Sequence, residues 1–163
     1  MGEGGLKKTA VLCVLRSGDE LLLLSRGGEP NKGLYVPVGG HVDPFEAPRD
    51  AAIREVNEET GLLLADVRFC GVLVETSPSK YNWVTFVYSA EVERFPPPDC
   101  SEGVLEWVAI SRLGAIPTPP TDAFIYRFVS EGRPFVMDAR FDNSLEMTSL
   151  TDEIAGEVLY VRG

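Results

Sequence analysis

The segment GGHVDPFEAPRDAAIREVNEETGL constrains the fold of this chain more than any other stretch. Proline is tolerated in the first turn of a helix, and glycine readily takes the left-handed conformation that ends one. We therefore predict a helix that starts near Pro48 and ends before Gly61. At about 100° per residue, Glu55, Glu58 and Glu59 share one arc of this helix roughly 100° wide. The helix thus presents three carboxylates on a single face.

An acidic helix face most often simply faces water, and that interpretation stays open at this point. Against it, like charges at i,i+3 and i,i+4 destabilise a helix by a few tenths of a kcal/mol each, and this helix contains no lysine to compensate. Clustered carboxylates of this kind can instead hold hard cations, which prefer oxygen ligands. The segment therefore predicts a divalent-cation site.

The spacing of residues in and before this helix is specific. Gly40 is followed, after five residues, by Glu46. Seven residues further on come Arg54, Glu55 and the apolar Val56. After one more residue comes the pair Glu58 and Glu59, and after another the pair Gly61 and the apolar Leu62. This pattern resembles the signature of the Nudix hydrolases without a mismatch. The resemblance implies an α/β fold, the α/β/α sandwich with a mixed β-sheet, and hydrolysis of a nucleoside diphosphate linked to a further group.

The resemblance also implies roles for the residues of the segment. Mg²⁺, or alternatively Mn²⁺, would be the cofactor, because cations screen an anionic pyrophosphate and lower the pKa of a bound water. Glu55 and Glu59 would be direct metal ligands, Glu58 a ligand or the group that activates water, and the carbonyl of Gly40 would complete the site.

Glu46 and Arg54 would support this predicted metal centre, and Glu102 would add a further carboxylate or the base to it. By the same resemblance, Glu46 and Arg54 would form an ion pair that orients the loop against the helix. Glu102 lies outside the segment, in a loop that leads into a strand, where it would supply another metal carboxylate or the base. An exposed loop glutamate without function is an equally good interpretation of Glu102.

The region after the signature resembles the MutT-like branch, which cleaves nucleoside triphosphates, including oxidised purine ones. In that branch an acidic residue reaches the base edge, and Asp122 takes its place here; the alternative for Asp122 is a helix cap or first-turn acid. Tyr35 is a second candidate substrate contact. Val36 stands near the position of a purine-reading asparagine, and since its side chain cannot form hydrogen bonds, oxidised-guanine specificity is not expected.

Two other functions remain open. The first is hydrolysis of ADP-ribose or of dinucleoside polyphosphates, for which Pro78 and Tyr81 are weak indications because such residues are common in loops. The second is a catalytically silent module that senses nucleotides. All the signature carboxylates are present, which favours an enzyme.

The rest of the chain predicts strands with few helices among them. Apolar runs at 9–16 and 20–25, and at 67–76 and 82–93, predict two antiparallel hairpins, with short strands at 35–40 and 104–110. Residues 121–132 predict a helix, 133–141 and 144–149 a final strand pair, and 150–163 either a short helix or a packed tail. We expect one domain, residues 1–163.

Composition and charge exclude several classes of partner. A formal net charge of −10 argues against binding DNA or RNA polymers or an anionic membrane, so a small nucleotide is the expected partner of a monomer or homodimer. His41 is the one histidine of the chain, which makes a His-based catalytic triad improbable. The three cysteines lack metal-site spacing and the first ten residues lack a signal-peptide pattern, so we expect a cytoplasmic protein.

Overall fold

The computed structural model describes residues 4–163. Residues 1–3 belong to the predicted domain and to the segment that lacks a signal-peptide pattern, and they lie outside the described residues. In the described residues nine strands form one sheet with two α-helices and a short 3-10 helix. The strands are β1 Lys8–Ser17, β2 Glu20–Arg26, β3 Tyr35–His41, β4 Arg68–Thr76, β5 Trp83–Glu91, β6 Gly103–Ala109, β7 Phe135–Phe141, β8 Met147–Asp152 and β9 Glu157–Val161. The helices are α1 Pro48–Thr60 and α2 Asp122–Ser130, and the 3-10 helix is Ile110–Ala115.

The sheet is mixed, with strand order β6-β2-β3-β1-β5-β4-β7-β8-β9. The pairs β1–β5 and β4–β7 are parallel and the remaining neighbours are antiparallel. The two predicted hairpins, β1–β2 and β4–β5, are both present and antiparallel. Strand β6 pairs along β2 with Arg26 opposite Gly103, and this register fixes the loop that ends at Glu102.

Both faces of the sheet are covered, which explains the continuous apolar run of β2. Leu22 and Leu24 are buried in the core layer that contains Val56 of α1, whereas Leu21 and Leu23 are buried with residues of α2. A strand buried on both faces is apolar at every position rather than at alternate ones. The predicted three-layer α/β/α sandwich is thus confirmed.

The ends of helix α1 lie where the sequence predicts them. Pro48 is in its first turn, and Gly61 at φ 79° ends the helix by donating its backbone N–H to the carbonyl of Asn57 at 2.9 Å. Glycine adopts this left-handed conformation without the steric cost that a Cβ adds. The acidic helix therefore has a fixed length and a fixed rotation against the sheet.

The carboxyl-terminal prediction is wrong. Residues 150–163 form neither a helix nor an irregular tail: β8 extends to Asp152, and β9 pairs with it in antiparallel fashion after a turn that contains Gly156 at φ 63°. The sequence EVLYV is rich in residues that favour strands, and the turn glycine supplies the backbone conformation that a hairpin needs. Within residues 4–163, no helix combines the length and the apolar character needed to cross a membrane.

Candidate active site

Helix α1 directs its acidic face at the glycine pair that ends β3. A Cβ added to Gly40 would lie 2.5 Å from the carboxyl carbon of Glu55, so a side chain at this position would displace that carboxylate. The backbone N–H of Gly39 donates to Oε2 of Glu59 at 3.2 Å. The end of β3 and the acidic face of α1 thus form one compact region rich in oxygen atoms. We call this region, formed by Gly39, Gly40, Glu55 and Glu59, the carboxylate corner.

Arg54 ties this corner to the loop before the helix. Its Nε and Nη2 donate to the two carboxylate oxygens of Glu46 at 2.8 and 2.9 Å, and its Nη1 donates to Glu55 at 2.9 Å. Nη2 also donates to the carbonyl of His41 at 3.0 Å. The hydrogen bonds from Arg54 lower the pKa of Glu46 to about 2. The pair predicted from the signature is therefore in contact, and it locks the loop against the helix.

Glu102 reaches the same corner from the opposite side. It precedes β6, whose first residue Gly103 would place a Cβ 2.0 Å from the carbonyl oxygen of Ser25, so this approach also requires a glycine. Burial, and after it the nearby carboxylate of Glu102, raises the pKa of Glu59. Burial likewise raises the pKa of Glu55. Two carboxylates of α1 therefore interact electrostatically with one that lies far along the chain.

The donor set of this corner fits a hard divalent cation. In the described part of the chain no three His, Cys, Asp or Glu side chains converge closely enough to form a complete metal site as they stand. However, Glu55, Glu59 and Glu102 are all oxygen donors, and burial together with the charge of Glu102 raises the pKa of both Glu55 and Glu59, an arrangement that a dication would relieve. Gly40 lies beside the carboxylate of Glu55. These residues would hold the cation.

Glu58 occupies a more open position. Its side chain is 56% exposed, and its Oε2 accepts a hydrogen bond from Nη1 of Arg54 at 3.2 Å. The structure places Glu58 next to the predicted metal ligands but not in their buried group. A ligand that reaches Glu58 from solvent would compete only with this one contact.

A cavity of about 350 Å³ opens from the carboxylate corner along the α2 face of the sheet. Gly39, Gly40 and Glu102 line one part of it, and the segment 119–122 with Asp122 lines another. The indole of Trp83 also lines the cavity and packs edge-on against His41, with ring centroids 5.2 Å apart. A larger cavity of about 720 Å³ lies between α2 and the 3-10 helix, away from these carboxylates.

Asp122 is buried; it is not the cap residue of α2, but it is an acid in the first turn of that helix, as the alternative interpretation also allowed. It is the first residue of α2, Thr121 is the cap residue, and no side-chain capping bond is formed there. The carboxylate of Asp122 accepts a hydrogen bond from the hydroxyl of Thr121 at 3.1 Å. Burial raises the pKa of Asp122 to about 7. The cost of this burial suggests a role other than helix stability.

Tyr35 is not brought to the cavity. Its hydroxyl donates to Oε2 of Glu106 at 2.8 Å, whereas the next two residues of β3, Val36 and Pro37, line the cavity. Tyr35 packs against the core layer that contains α2, but it is not one of the residues that line the cavity. The predicted contact of Tyr35 with substrate has no support in this geometry.

Glu75 and Trp83 are among the cavity residues that the sequence did not indicate. They are directly opposite each other on β4 and β5 and belong to the cavity lining. The available signal was weak, since an acid within VLVET lies in an otherwise apolar strand and its partners lie far away in sequence. Only the pairing of β4 with β5 shows that both face the cavity.

Comparison with known proteins is consistent with this geometry. Residues 6–131 match the family model of the NUDIX domain. The chain is 29% identical over 126 residues to the uncharacterized Nudix hydrolase YvcI of Bacillus subtilis, covering 74% of this chain and 78% of YvcI. It is 37% identical over 87 residues to human diphosphoinositol polyphosphate phosphohydrolase 3-alpha, covering 53% of this chain and 51% of that relative.

A solved structure extends the likeness to almost the whole chain. The MutT protein from Bacillus halodurans superimposes with a TM-score of 0.78 at 22% sequence identity, covering 90% of this chain and 98% of that one. At this identity the comparison establishes a shared fold.

Proposed function

Because the chain belongs to the Nudix family, whose hydrolases act on nucleoside diphosphate-linked substrates, we propose that it cleaves nucleoside triphosphates to the monophosphate and pyrophosphate. The observation that carries the proposal is the single cavity that joins the carboxylate corner, at Gly40 and Glu102, to the buried Asp122. One end suits a cation-bound phosphate chain and the other a nucleobase. The cytoplasmic location expected from the sequence stays a prediction.

The cofactor that we propose is Mg²⁺, held by Glu55, Glu59, Glu102 and the Gly40 carbonyl. When bound, the cation would neutralise the phosphate chain and make a bound water more acidic. Arg54 and Glu46 act by positioning, since they hold the loop and the helix in one arrangement. Glu58 and Glu102 are the two candidates for receiving the proton of the attacking water.

The charge of the cavity disfavours a polyphosphorylated inositol, the class of substrate named for the human relative. Within the described residues the lining contains a single arginine, Arg26, and no lysine, whereas Glu75, Glu102 and Asp122 contribute acidic groups. A densely phosphorylated ring requires several cationic side chains to offset its charge. A nucleotide needs a cation at one end only and fits this distribution better.

The bond that is cleaved tests the proposal directly. Water that attacks the β-phosphorus of a nucleoside triphosphate transfers its oxygen to pyrophosphate, so hydrolysis in ¹⁸O-labelled water with Mg²⁺ should label pyrophosphate. Label in orthophosphate, with the nucleoside diphosphate as co-product, would contradict the proposal and indicate a phosphatase instead.

Substrate class is tested with Asp122→Ala. If Asp122 meets the base, kcat/KM for the best purine triphosphate should fall roughly 10- to 100-fold, while turnover of ADP-ribose should change less. Equal losses for both substrates together with a lowered melting temperature would assign Asp122 to stability alone. Faster cleavage of ADP-ribose than of any triphosphate by the parent protein would favour the alternative function.

A further inference from the structure

Glu75 is the cavity residue with no role in the proposed chemistry so far. It lies on β4 with its Cα paired to that of Trp83 on β5, so the two side chains are on the same face of the sheet. Both line the cavity that contains Asp122. A flat indole and two carboxylates thus line this cavity.

Neither carboxylate is neutralised by the protein. Among residues 4–163, no lysine or arginine forms a salt bridge with Glu75 or Asp122. The ammonium of Lys7, the nearest cation to Glu75, donates to the backbone carbonyl of Glu75 at 2.7 Å and to the side chain of Thr76. The charge of Lys7 therefore opposes the rise in the pKa of Glu75, but the ammonium does not bind the Glu75 carboxylate.

The charge of Glu75 also acts on Asp122. Burial raises the pKa of Glu75 to about 7, and the charge of Glu75 adds to the burial that raises the pKa of Asp122. A carboxylate without a cationic partner is stabilised by a ligand that supplies N–H groups. Asp122 is buried and accepts one hydrogen bond, from Thr121, whereas Glu75 is half-buried, and both line the cavity, where a ligand can reach them.

We propose that Glu75 is a specificity-determining residue which, together with Asp122, accepts hydrogen bonds from two adjacent N–H donors of a guanine base. This inference rests on the proposed function, since it assigns the nucleobase of that same site. Guanine presents N1–H and the 2-amino group side by side, whereas adenine presents a donor next to an acceptor. A two-acceptor site therefore selects guanine and leaves adenine N1 facing a carboxylate oxygen.

The test compares nucleotides in the parent protein and in Glu75→Gln, at saturating Mg²⁺. A glutamine amide offers one donor and one acceptor, which matches adenine. We expect the ratio of kcat/KM for GTP to that for ATP to fall roughly 10- to 100-fold, with ATP turnover kept or increased. Because one activity is retained, loss of folding cannot produce this result. Glu91→Gln, an exposed glutamate of β5 outside the cavity lining, is the matched control and should leave the ratio unchanged.

A measurement on the parent protein needs no variant. ITP lacks the 2-amino group, so its kcat/KM should be roughly tenfold or more below that of GTP. Equal efficiencies for GTP and ITP, or an unchanged GTP to ATP ratio in Glu75→Gln, would overturn the role of Glu75 while leaving triphosphate hydrolysis intact. Absence of turnover with every triphosphate would instead overturn the proposed function and this inference with it.

Discussion

The Arg54–Glu46 pair allows a stability prediction with a defined size. The Arg54 and Glu46 side chains are only 27% and 16% exposed, and two hydrogen bonds join them at 2.8 and 2.9 Å. The pKa of Glu46 falls from 4.5 to about 2. At about 1.4 kcal/mol per pKa unit this shift sets an upper limit of roughly 3.4 kcal/mol, and partial solvent screening reduces it to about 2 kcal/mol. Glu46→Gln should lower the free energy of unfolding by that amount at neutral pH.

The stability difference between the parent and Glu46→Gln should depend on pH. Because the folded-state pKa of Glu46 is depressed, its contribution is fully present above the unfolded pKa and is lost as the pH falls through the folded pKa. The difference in stability between parent and Glu46→Gln should therefore shrink between pH 4.5 and about pH 2.

Urea denaturation of both proteins at neutral pH and near pH 3 measures this difference, and melting temperatures should differ by roughly 4–8 °C at neutral pH. Glu20→Gln is the control, because Glu20 pairs with Arg94 at 2.8 Å on a more exposed surface and should lose at most about 1 kcal/mol. A loss in Glu46→Gln no greater than in this control, or one that persists undiminished at acid pH, would refute the reasoning.

Three further predictions concern the two ends of the cavity. Glu58→Gln should reduce turnover roughly 10²- to 10⁴-fold with folding intact, measured at saturating Mg²⁺; near-normal turnover would remove this carboxylate from the mechanism. Gly40→Ala should displace the Glu55 carboxylate, which lies 2.5 Å from the added Cβ, and so raise the Mg²⁺ concentration needed for half-maximal activity. Gly114→Ala, with open space around its Cβ, should behave as the parent. Above pH 7, Asp122→Asn should be more stable than the parent by roughly 2 kcal/mol, because the raised folded-state pKa of Asp122 means that the fold destabilises its ionised form. This difference in stability should vanish as the pH falls towards 3.8. Urea titrations on both sides of pH 7 measure it.

The sequence predicted best what is decided locally. Pro48 and Gly61 set the ends of α1 through backbone constraints that act within one turn, so the rotation of the acidic face could be read from the chain alone. Turn residues likewise identified both hairpins. The β9 hairpin was missed because Glu153 and Ala155, which are depleted in strands, lie in the turn that separates β8 from β9.

Contacts between residues that lie far apart in the sequence could not be predicted from local patterns. Glu75 joins Asp122 only because α2 folds back over the sheet, and no local signal marks an inward-facing acid in an apolar strand. Tyr35 illustrates the same limit, since nothing near it in the sequence shows that its hydroxyl donates to Glu106 or that the residue lies outside the cavity lining.

The edge position of β6 has a consequence for the order of folding. Glu102 reaches the carboxylate corner only after Gly103 has docked against Arg26, across a long stretch of intervening chain. Closing a loop of this length costs entropy that the local hairpin β1–β2 does not incur, so we expect the hairpin to form before the edge strand docks. The cation site would then be completed late, and the chain could not bind its metal tightly while still partly unfolded. Stopped-flow refolding should show full Mg²⁺ affinity appearing no earlier than burial of Trp107 on β6, and earlier tight binding would contradict this order.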